Sequence, residues 1–121
     1  DKHQASYHGV FHSTPAEQQE DYIRPQENGS HFGCARVTIT DGAGAVTVTS
    51  PEDFSFNLSH YTQEELTEKT HNYELTESPD NVFCFDCKMS GVGSNSCGPR
   101  LAKAMQFDDE TFTFKFDLTV E

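Results

Sequence analysis

The strongest constraint on the fold of this chain is a strict two-residue alternation in ETFTFKFDLTV, residues 110–120. The apolar members of this run are Phe112, Phe114, Phe116, Leu118 and Val120. The residues between them are Thr113, Lys115, Asp117 and Thr119. Successive side chains of a β-strand point to opposite faces of its sheet, so this spacing collects the apolar side chains on one face. The run therefore predicts a strand that covers a core.

A second strand signal is a hairpin in residues 34–50. CARVTIT (34–40) places Val37 and Ile39 on one face, and AVTVTS (45–50) does the same with Val46 and Val48. DGAG (41–44) lies between the two runs and consists of small and turn-forming residues. Two alternating runs joined in this way are typical of antiparallel strands.

Two more stretches alternate. FSFNL (54–58) has Phe54, Phe56 and Leu58 on one face. NVFCFDCKMS (81–90) reads as a strand whose shared face holds Phe83, Phe85, Cys87 and Met89. Together with the runs above they predict an all-β fold, an antiparallel β-sandwich of five or six short strands.

One short helix is expected in TQEELTEK, residues 62–69. Thr62 precedes Glu65 by three residues, which is the spacing of a capping box. Glu64, Glu65 and Glu68 are interpreted as its solvated face. No repeat, low-complexity tract or linker divides the chain, so residues 1–121 are interpreted as one partial domain. The start at Asp1, without a methionine, suggests a piece of a longer polypeptide.

Charge and cysteine usage limit the partners and the compartment. The formal net charge of −12 disfavours binding to a nucleic-acid backbone or an anionic membrane. No run approaches the ~18 apolar residues of a membrane span. The four cysteines, Cys34, Cys84, Cys87 and Cys97, are too few for a disulfide-stapled scaffold. They are predicted to be buried reduced thiols, as in a cytoplasmic protein.

The most unusual stretch is GVGSNSCGP, residues 91–99. A phosphate-binding loop would need a lysine that is missing here, and G-x-G-x-x-G fails because position 96 is Ser96. Cys97 as a nucleophile would need a base and a positive setting, and the surroundings are acidic. The remaining interpretation is a small-residue loop that lets another molecule or domain approach its backbone closely.

Other chemistry is weakly marked. His3, His8 and His12 lie in an irregular segment and are interpreted as solvated, so no metal site is expected in this chain. No pair of carboxylates stands out for glycoside hydrolysis. Glu27, in the Asn-Gly turn, is expected to bond locally, with Arg24 as its partner.

Three longer stretches carry a resemblance. They are DYIRPQENGSHFGCARVTITD, FSFNLSHYTQEELTEKTHNYEL and CKMSGVGSNSCGP, with P-x-E-N-G (25–29), F-N-x-S-x-Y-[ST]-Q (56–63) and G-[IV]-G (91–93) as specific motifs. The chain resembles the carboxy-terminal, domain 5 or small-chain region of lac-operon-type bacterial β-galactosidases of glycoside hydrolase family two. The resemblance covers nearly the whole chain.

That resemblance implies a five-domain, homo-oligomeric enzyme whose last domain is a super-sandwich like galactose mutarotases. It also implies retaining hydrolysis of terminal β-D-galactosides, such as lactose, by two glutamates of a central barrel, with magnesium and sodium nearby. Those residues precede this region. The chain is therefore expected to hold no catalytic residue, and its partners are expected to be the rest of the enzyme and a galactoside at the active-site rim.

One family contact is carried over by resemblance. After G-[IV]-G, some relatives have a tryptophan that faces the sugar, and the matching position here is Cys97. A thiol cannot stack on a sugar as an indole can, so Asn95 and Ser96 are hypothesised to form hydrogen bonds with a sugar hydroxyl instead. The alternatives are an autonomous carbohydrate-binding β-sandwich module, disfavoured by the absence of Trp and by Phe residues that mostly fall on inward faces, and a purely structural segment.

Overall fold

The computed structural model describes residues 9–19, 29–88, 100 and 102–121. The α-helices are α1 (Pro15–Gln18) and α2 (Gln63–Glu68), with 3-10 turns at Asn72–Glu74 and Lys103–Met105. The strands are β1 (His31–Thr40), β2 (Ala45–Ser59), β3 (Val82–Asp86) and β4 (Asp117–Val120). All pairings are antiparallel, which confirms the predicted all-β class of sandwich type. None of the helices in these ranges is long and apolar enough to cross a membrane.

Strand β2 is the centre of the sheet, because every other strand pairs with it. β1 follows one edge along most of its length, from Ala45 to Phe56. β3 and β4 pair with separate parts of β2 that also pair with β1, and therefore occupy the other edge of β2, end to end. β3 lies opposite residues 55–59 and β4 opposite residues 46–49.

The predicted hairpin is confirmed, and so is the prediction that its apolar residues share one face. Val37 lies opposite Val48, and Ile39 opposite Val46. The turn closes because the Asp41 Oδ1 atom accepts hydrogen bonds from the backbone N–H groups of Ala43 and Gly44, both at 2.9 Å. These bonds satisfy donors that the short turn would otherwise leave to water.

One face of this half of the sheet is aliphatic, because residues directly opposite each other in an antiparallel pair share a face. Its members are Val37, Ile39, Val46, Val48, Leu118 and Val120. The other face carries mainly threonines, two of which, Thr38 and Thr47, join their hydroxyls at 3.0 Å across the strands. The predicted alternation is therefore correct for β1 and for the first part of β2.

Residues 45–50 and 54–58, expected as separate strands, form one strand. The register with β1 shifts between the pairs Arg36↔Thr49 and Cys34↔Phe54, so residues 50–53 bulge out of the ladder. Pro51 lies in this bulge, where its missing N–H costs no ladder bond. A second shift, between His31 and Cys34, contains Gly33 at φ 66°, a left-handed conformation that glycine adopts without strain.

The prediction of a long carboxy-terminal strand is wrong in its first half. Only Asp117–Val120 is a strand, and residues 112–116 run outside the ladder. They approach the segment of β2 that bulges, where the Ser50 hydroxyl donates to the Lys115 carbonyl at 2.9 Å. Similarly, β3 ends at Asp86, so Cys87 lies beyond the strand predicted for it.

The second half of β2 is covered on both faces. Phe54 is fully buried, as expected, and Ser55 and Asn57, which point to the opposite side, are buried too. Helix α1 packs against β2. A Cβ atom placed on Gly29 would contact the Asn57 amide nitrogen. The predicted polar face of this strand is therefore an interior face.

Helix α2 begins as predicted, with the Thr62 hydroxyl accepting from the Glu65 N–H at 3.1 Å. Leu66 is its buried residue. Glu65 is not simply solvated, as was expected, because its Oε1 atom accepts from the backbone N–H of Thr76 at 2.8 Å. This bond fastens the following segment to the helix.

Helix α1 was not predicted, although the sequence carries its signal. The Thr14 hydroxyl accepts from the Glu17 N–H at 3.3 Å, and the Glu17 carboxylate accepts from the Thr14 N–H at 2.8 Å. Pro15 stands at the first helical position, where its ring fits and its missing N–H is harmless. A capping box followed by proline in residues 14–17 is the pattern that would have identified it.

Candidate functional site

The predicted substrate-contacting residues, Asn95, Ser96 and Cys97, lie outside the described residues. The same holds for His3, His8, Arg24 and Glu27. The nearest described neighbours of the predicted site are Lys88 on one side and Arg100 on the other.

Described residues before and after this stretch contact each other. The Lys88 ammonium lies 6.0 Å from the centre of the Phe107 ring, within the range of a cation–π contact. Phe107 also meets the Phe112 ring edge-on, with centroids 5.1 Å apart. Lys103 and Asp108 form an exposed ion pair at 3.6 Å. The chain thus returns to the end of β3 after residue 101.

A connected row of aromatic rings runs from β1 across β2 and β3 towards β4. These residues, called the aromatic row, are His31, Phe56, Phe83, Phe85, Phe114 and Phe116. The tightest contact joins Phe85 and Phe116 edge-on, with centroids 4.7 Å apart. No member of this row is fully buried, so the described residues cover the aromatic row only in part.

Burial shifts several titratable groups towards their neutral forms. Partial desolvation raises the pKa of Asp86, at the end of β3, and lowers the pKa of His31, although both residues are exposed at the surface. Burial also raises the pKa of the Cys34 thiol, and the nearby Asp53 charge raises it further. A raised thiol pKa works against nucleophilic chemistry at Cys34.

Three other carboxylates are shifted in the opposite direction by local hydrogen bonds. Bonds from the Thr14 backbone lower the pKa of Glu17, and bonds from Ala43 and Gly44 lower the pKa of Asp41. Bonds from His71 and Thr70 lower the pKa of Glu74 in the same way. These groups close turns and helix ends, which leaves them no evident part in acid–base chemistry.

Within the described ranges, no group of three or more His, Cys, Asp and Glu side chains could hold a metal ion. His12 is described and belongs to no such group.

Most Phe side chains were expected to point inward, but some aromatic side chains are exposed. Phe11, Phe112 and Phe116 are exposed, as is Tyr73, which is 78% exposed and stacks on His71 with centroids 5.1 Å apart. Phe112 and Phe116 were assigned to an inward face because their alternation predicted a strand, but both lie outside the regular strands. Exposed rings are what a sugar-binding surface requires, so this argument against a carbohydrate-binding module loses weight.

Comparison with known proteins connects these observations to one family. The family described as "Beta galactosidase small chain" matches residues 1–118. The chain is 49% identical over 118 residues to a beta-galactosidase of Actinobacillus pleuropneumoniae, covering 98% of this chain and 11% of that protein. It is 42% identical over 118 residues to one from Staphylococcus xylosus, covering 98% of this chain and 12% of the relative. A Kluyveromyces lactis beta-galactosidase is 29% identical over 123 residues, covering 100% of this chain and 12% of the relative.

Proposed function

Since the chain belongs to the beta-galactosidase small chain family, we propose that it is a non-catalytic part of a retaining beta-galactosidase that hydrolyses terminal β-D-galactosides such as lactose. Its place would be the carboxy-terminal domain of a glycoside hydrolase family two enzyme. The catalytic glutamates, magnesium and sodium would belong to the barrel, and the enzyme would be a cytoplasmic homo-oligomer.

The observation that carries this proposal is the small share of the relatives that the chain covers. It spans 11–12% of the length of the first three relatives while matching nearly all of itself. The described carboxylates with lowered pKa values close turns and helix ends, which is a structural use. The free thiols of Cys34, Cys84 and Cys87 fit a reducing compartment.

The proposed contribution to the active site is a rim contact by Asn95, Ser96 and Cys97. Serine and asparagine side chains can bond sugar hydroxyls, whereas a thiol at position 97 offers no stacking platform.

Complementation tests the proposal. The chain would be expressed separately, mixed with the remainder of its parent polypeptide, and assayed for hydrolysis of a chromogenic galactoside. The chain alone should be inactive and the mixture active. Deletion of residues 91–99 should raise the Michaelis constant for lactose in the mixture. Appreciable hydrolysis by the chain alone would refute the non-catalytic assignment.

Point variants separate a sugar contact from a packing role. Cys97→Trp should lower the Michaelis constant for lactose or change the transglycosylation yield, since an indole can stack on the sugar. Asp109→Ala, at an exposed position outside the helices and strands, is the control and should change neither quantity. A Cys97→Trp enzyme indistinguishable from the control would place residue 97 away from the substrate.

The exposed ring of Tyr73 gives some support to a second candidate, an autonomous carbohydrate-binding module. Calorimetric titration of the isolated chain with galactose and lactose distinguishes the two. Under the first proposal the chain binds neither sugar measurably by itself. Binding that is lost in Tyr73→Ala would support the module.

A further inference from the structure

The turn of the hairpin contains a reactive dipeptide. Asp41 is followed by Gly42, and this is the one Asp-Gly pair in the sequence. A backbone nitrogen can attack the side-chain carboxyl carbon of the preceding aspartate, and glycine hinders that attack least because it has no side chain. Every other aspartate of the sequence is followed by a residue that carries a side chain. Asp41 is therefore the aspartate whose local sequence most favours reaction with the backbone.

The reaction is a rearrangement in two steps. The Gly42 nitrogen bonds to the Asp41 Cγ atom, and one carboxyl oxygen leaves as water with the proton of the nitrogen and the proton of the acid. The product is a five-membered succinimide ring. Water then adds to the backbone carbonyl carbon of Asp41, and the bond from that carbon to the nitrogen breaks. The chain now runs through the former side chain, as isoaspartate, with its mass unchanged.

The structure leaves the nucleophile of this reaction accessible. Residues 41–44 are all exposed, and a Cβ atom placed on Gly42 would meet no other atom within 4 Å. No described residue accepts a hydrogen bond from the Gly42 N–H. Neither crowding nor a described hydrogen bond therefore prevents the nitrogen from reacting, and water can reach the ring.

The carboxyl group, in contrast, is held. The Asp41 Oδ1 atom accepts hydrogen bonds from the N–H groups of Ala43 and Gly44, both at 2.9 Å. These bonds direct the carboxyl group past Gly42, and turning its carbon towards the Gly42 nitrogen breaks them. The same bonds lower the pKa of Asp41 and so keep the carboxyl group ionised. An ionised carboxylate has no hydroxyl group to release as water, so the bonds oppose the reaction in two ways.

We propose that Asp41 is a site of isoaspartate formation that the closed turn protects, so that the modification occurs only when the hydrogen bonds from Ala43 and Gly44 open. Once formed, isoaspartate prevents the same turn from closing, because the carboxyl group that accepted both bonds has become a backbone amide. The change also reaches β4, since Ala45, next to the turn, exchanges two backbone hydrogen bonds of 2.9 Å with Glu121.

Ageing of the full parent polypeptide at neutral pH tests the protection. Isoaspartate at residue 41 would be quantified by peptide mapping, beside a synthetic peptide of residues 39–46 in the same buffer. We expect conversion in the folded protein to be at least about tenfold slower than in the peptide, because it waits for local opening. We also expect it to be faster than at Asp109, which is exposed and followed by Glu110. Equal rates in protein and peptide would overturn the protection, and conversion no faster than at Asp109 would overturn the site.

Two variants at residue 43 test the hydrogen bonds themselves. Ala43→Pro removes an N–H that donates to Asp41, whereas the control Ala43→Ser keeps it. We expect residue 41 to isomerise about tenfold faster in Ala43→Pro than in Ala43→Ser, and equal rates would contradict the proposal. If circular dichroism shows that Ala43→Pro is unfolded, the comparison of the wild-type protein with the peptide decides alone.

Amide hydrogen exchange of the modified protein tests the effect on β4. The Glu121 amide donates to Ala45, and we expect it to exchange at least about tenfold faster once residue 41 is isoaspartate. An unchanged rate would contradict the effect on β4. None of these measurements involves galactoside hydrolysis, so their failure and the failure of the proposed function are distinguishable.

Discussion

The backbone carbonyl oxygen of Glu121 lies 2.7 Å from the position that a Cβ atom on Gly44 would occupy. Real Cβ atoms do not approach backbone oxygens so closely. The hairpin turn and the end of the last strand are therefore compatible only because residue 44 has no side chain.

Gly44→Ala should destabilise the fold, because the new methyl group forces the backbone of β4 away from Ala45. We expect the free energy of unfolding to fall by about 2 kcal/mol, measured by urea denaturation. Gly9→Ala is the control, since its new Cβ would meet the Phe11 ring at 3.7 Å, an ordinary van der Waals contact. A Gly44→Ala protein as stable as the control would show that β4 does not hold this position in solution.

Thr62→Ala should remove the amino-terminal cap of α2. The Thr62 hydroxyl accepts from the Glu65 N–H, and its loss leaves that donor unpaired, which costs about 1 kcal/mol. Thr67→Ala in the same helix should change stability by less than about 0.5 kcal/mol, because its hydroxyl bonds a carbonyl within the helix. Thermal unfolding of both variants checks the difference, and equal melting temperatures would exclude the cap as a significant contribution.

Asp86→Asn should stabilise the protein at neutral pH. Burial raises the pKa of Asp86 above its ordinary value of 3.8, so folding disfavours the charged form. Stability present below pH 3.8 is lost as the pH rises through the raised pKa, and the asparagine variant escapes this loss. Urea denaturation from pH 3 to pH 7 should give the variant and wild type equal free energies of unfolding at pH 3. At higher pH the variant should be the more stable of the two. Parallel profiles would show that the carboxyl group is fully hydrated.

Asp41→Asn should change the stability in the opposite direction, by destabilising the protein at neutral pH. The N–H groups of Ala43 and Gly44 donate to the Asp41 carboxylate and lower its pKa, so the charged form is favoured in the folded state. That contribution is present above the ordinary value of 3.8 and disappears as the pH falls through the lowered pKa. The variant should be less stable than wild type at pH 7, and the gap should close in acid. Asp109→Asn serves as the exposed control. An equal loss of stability in Asp109→Asn would show that the hydrogen bonds of the turn do not cause the effect.

The parts of the fold that the sequence predicts are those in which local pattern and tertiary environment agree. Val37, Ile39, Val46 and Val48 alternate, and each faces an apolar partner across the ladder. The prediction fails where long-range geometry decides. Residues 112–116 have an equally clear alternation, but they meet the bulge of β2 around Pro51, where the ladder has no regular donors to offer.

Burial on the far side of β2 was unpredictable for a similar reason. Ser55 and Asn57 occupy the polar positions of an alternating run, and only the approach of α1 makes their environment interior. The candidate site is a different case. Asn95, Ser96 and Cys97 were selected by resemblance, and they lie outside the described residues, so their role stays a prediction.

The central place of β2 has a consequence for the order in which the chain acquires its structure. β1 and β2 are neighbours in sequence and can zip together as soon as both have left the ribosome. The edge taken by β4 must wait, because contacts such as that between Ser50 and Lys115 join residues 65 positions apart. During synthesis β2 therefore spends an interval with a bare flank, and that interval is when a nascent chain of this kind is most exposed to mispairing.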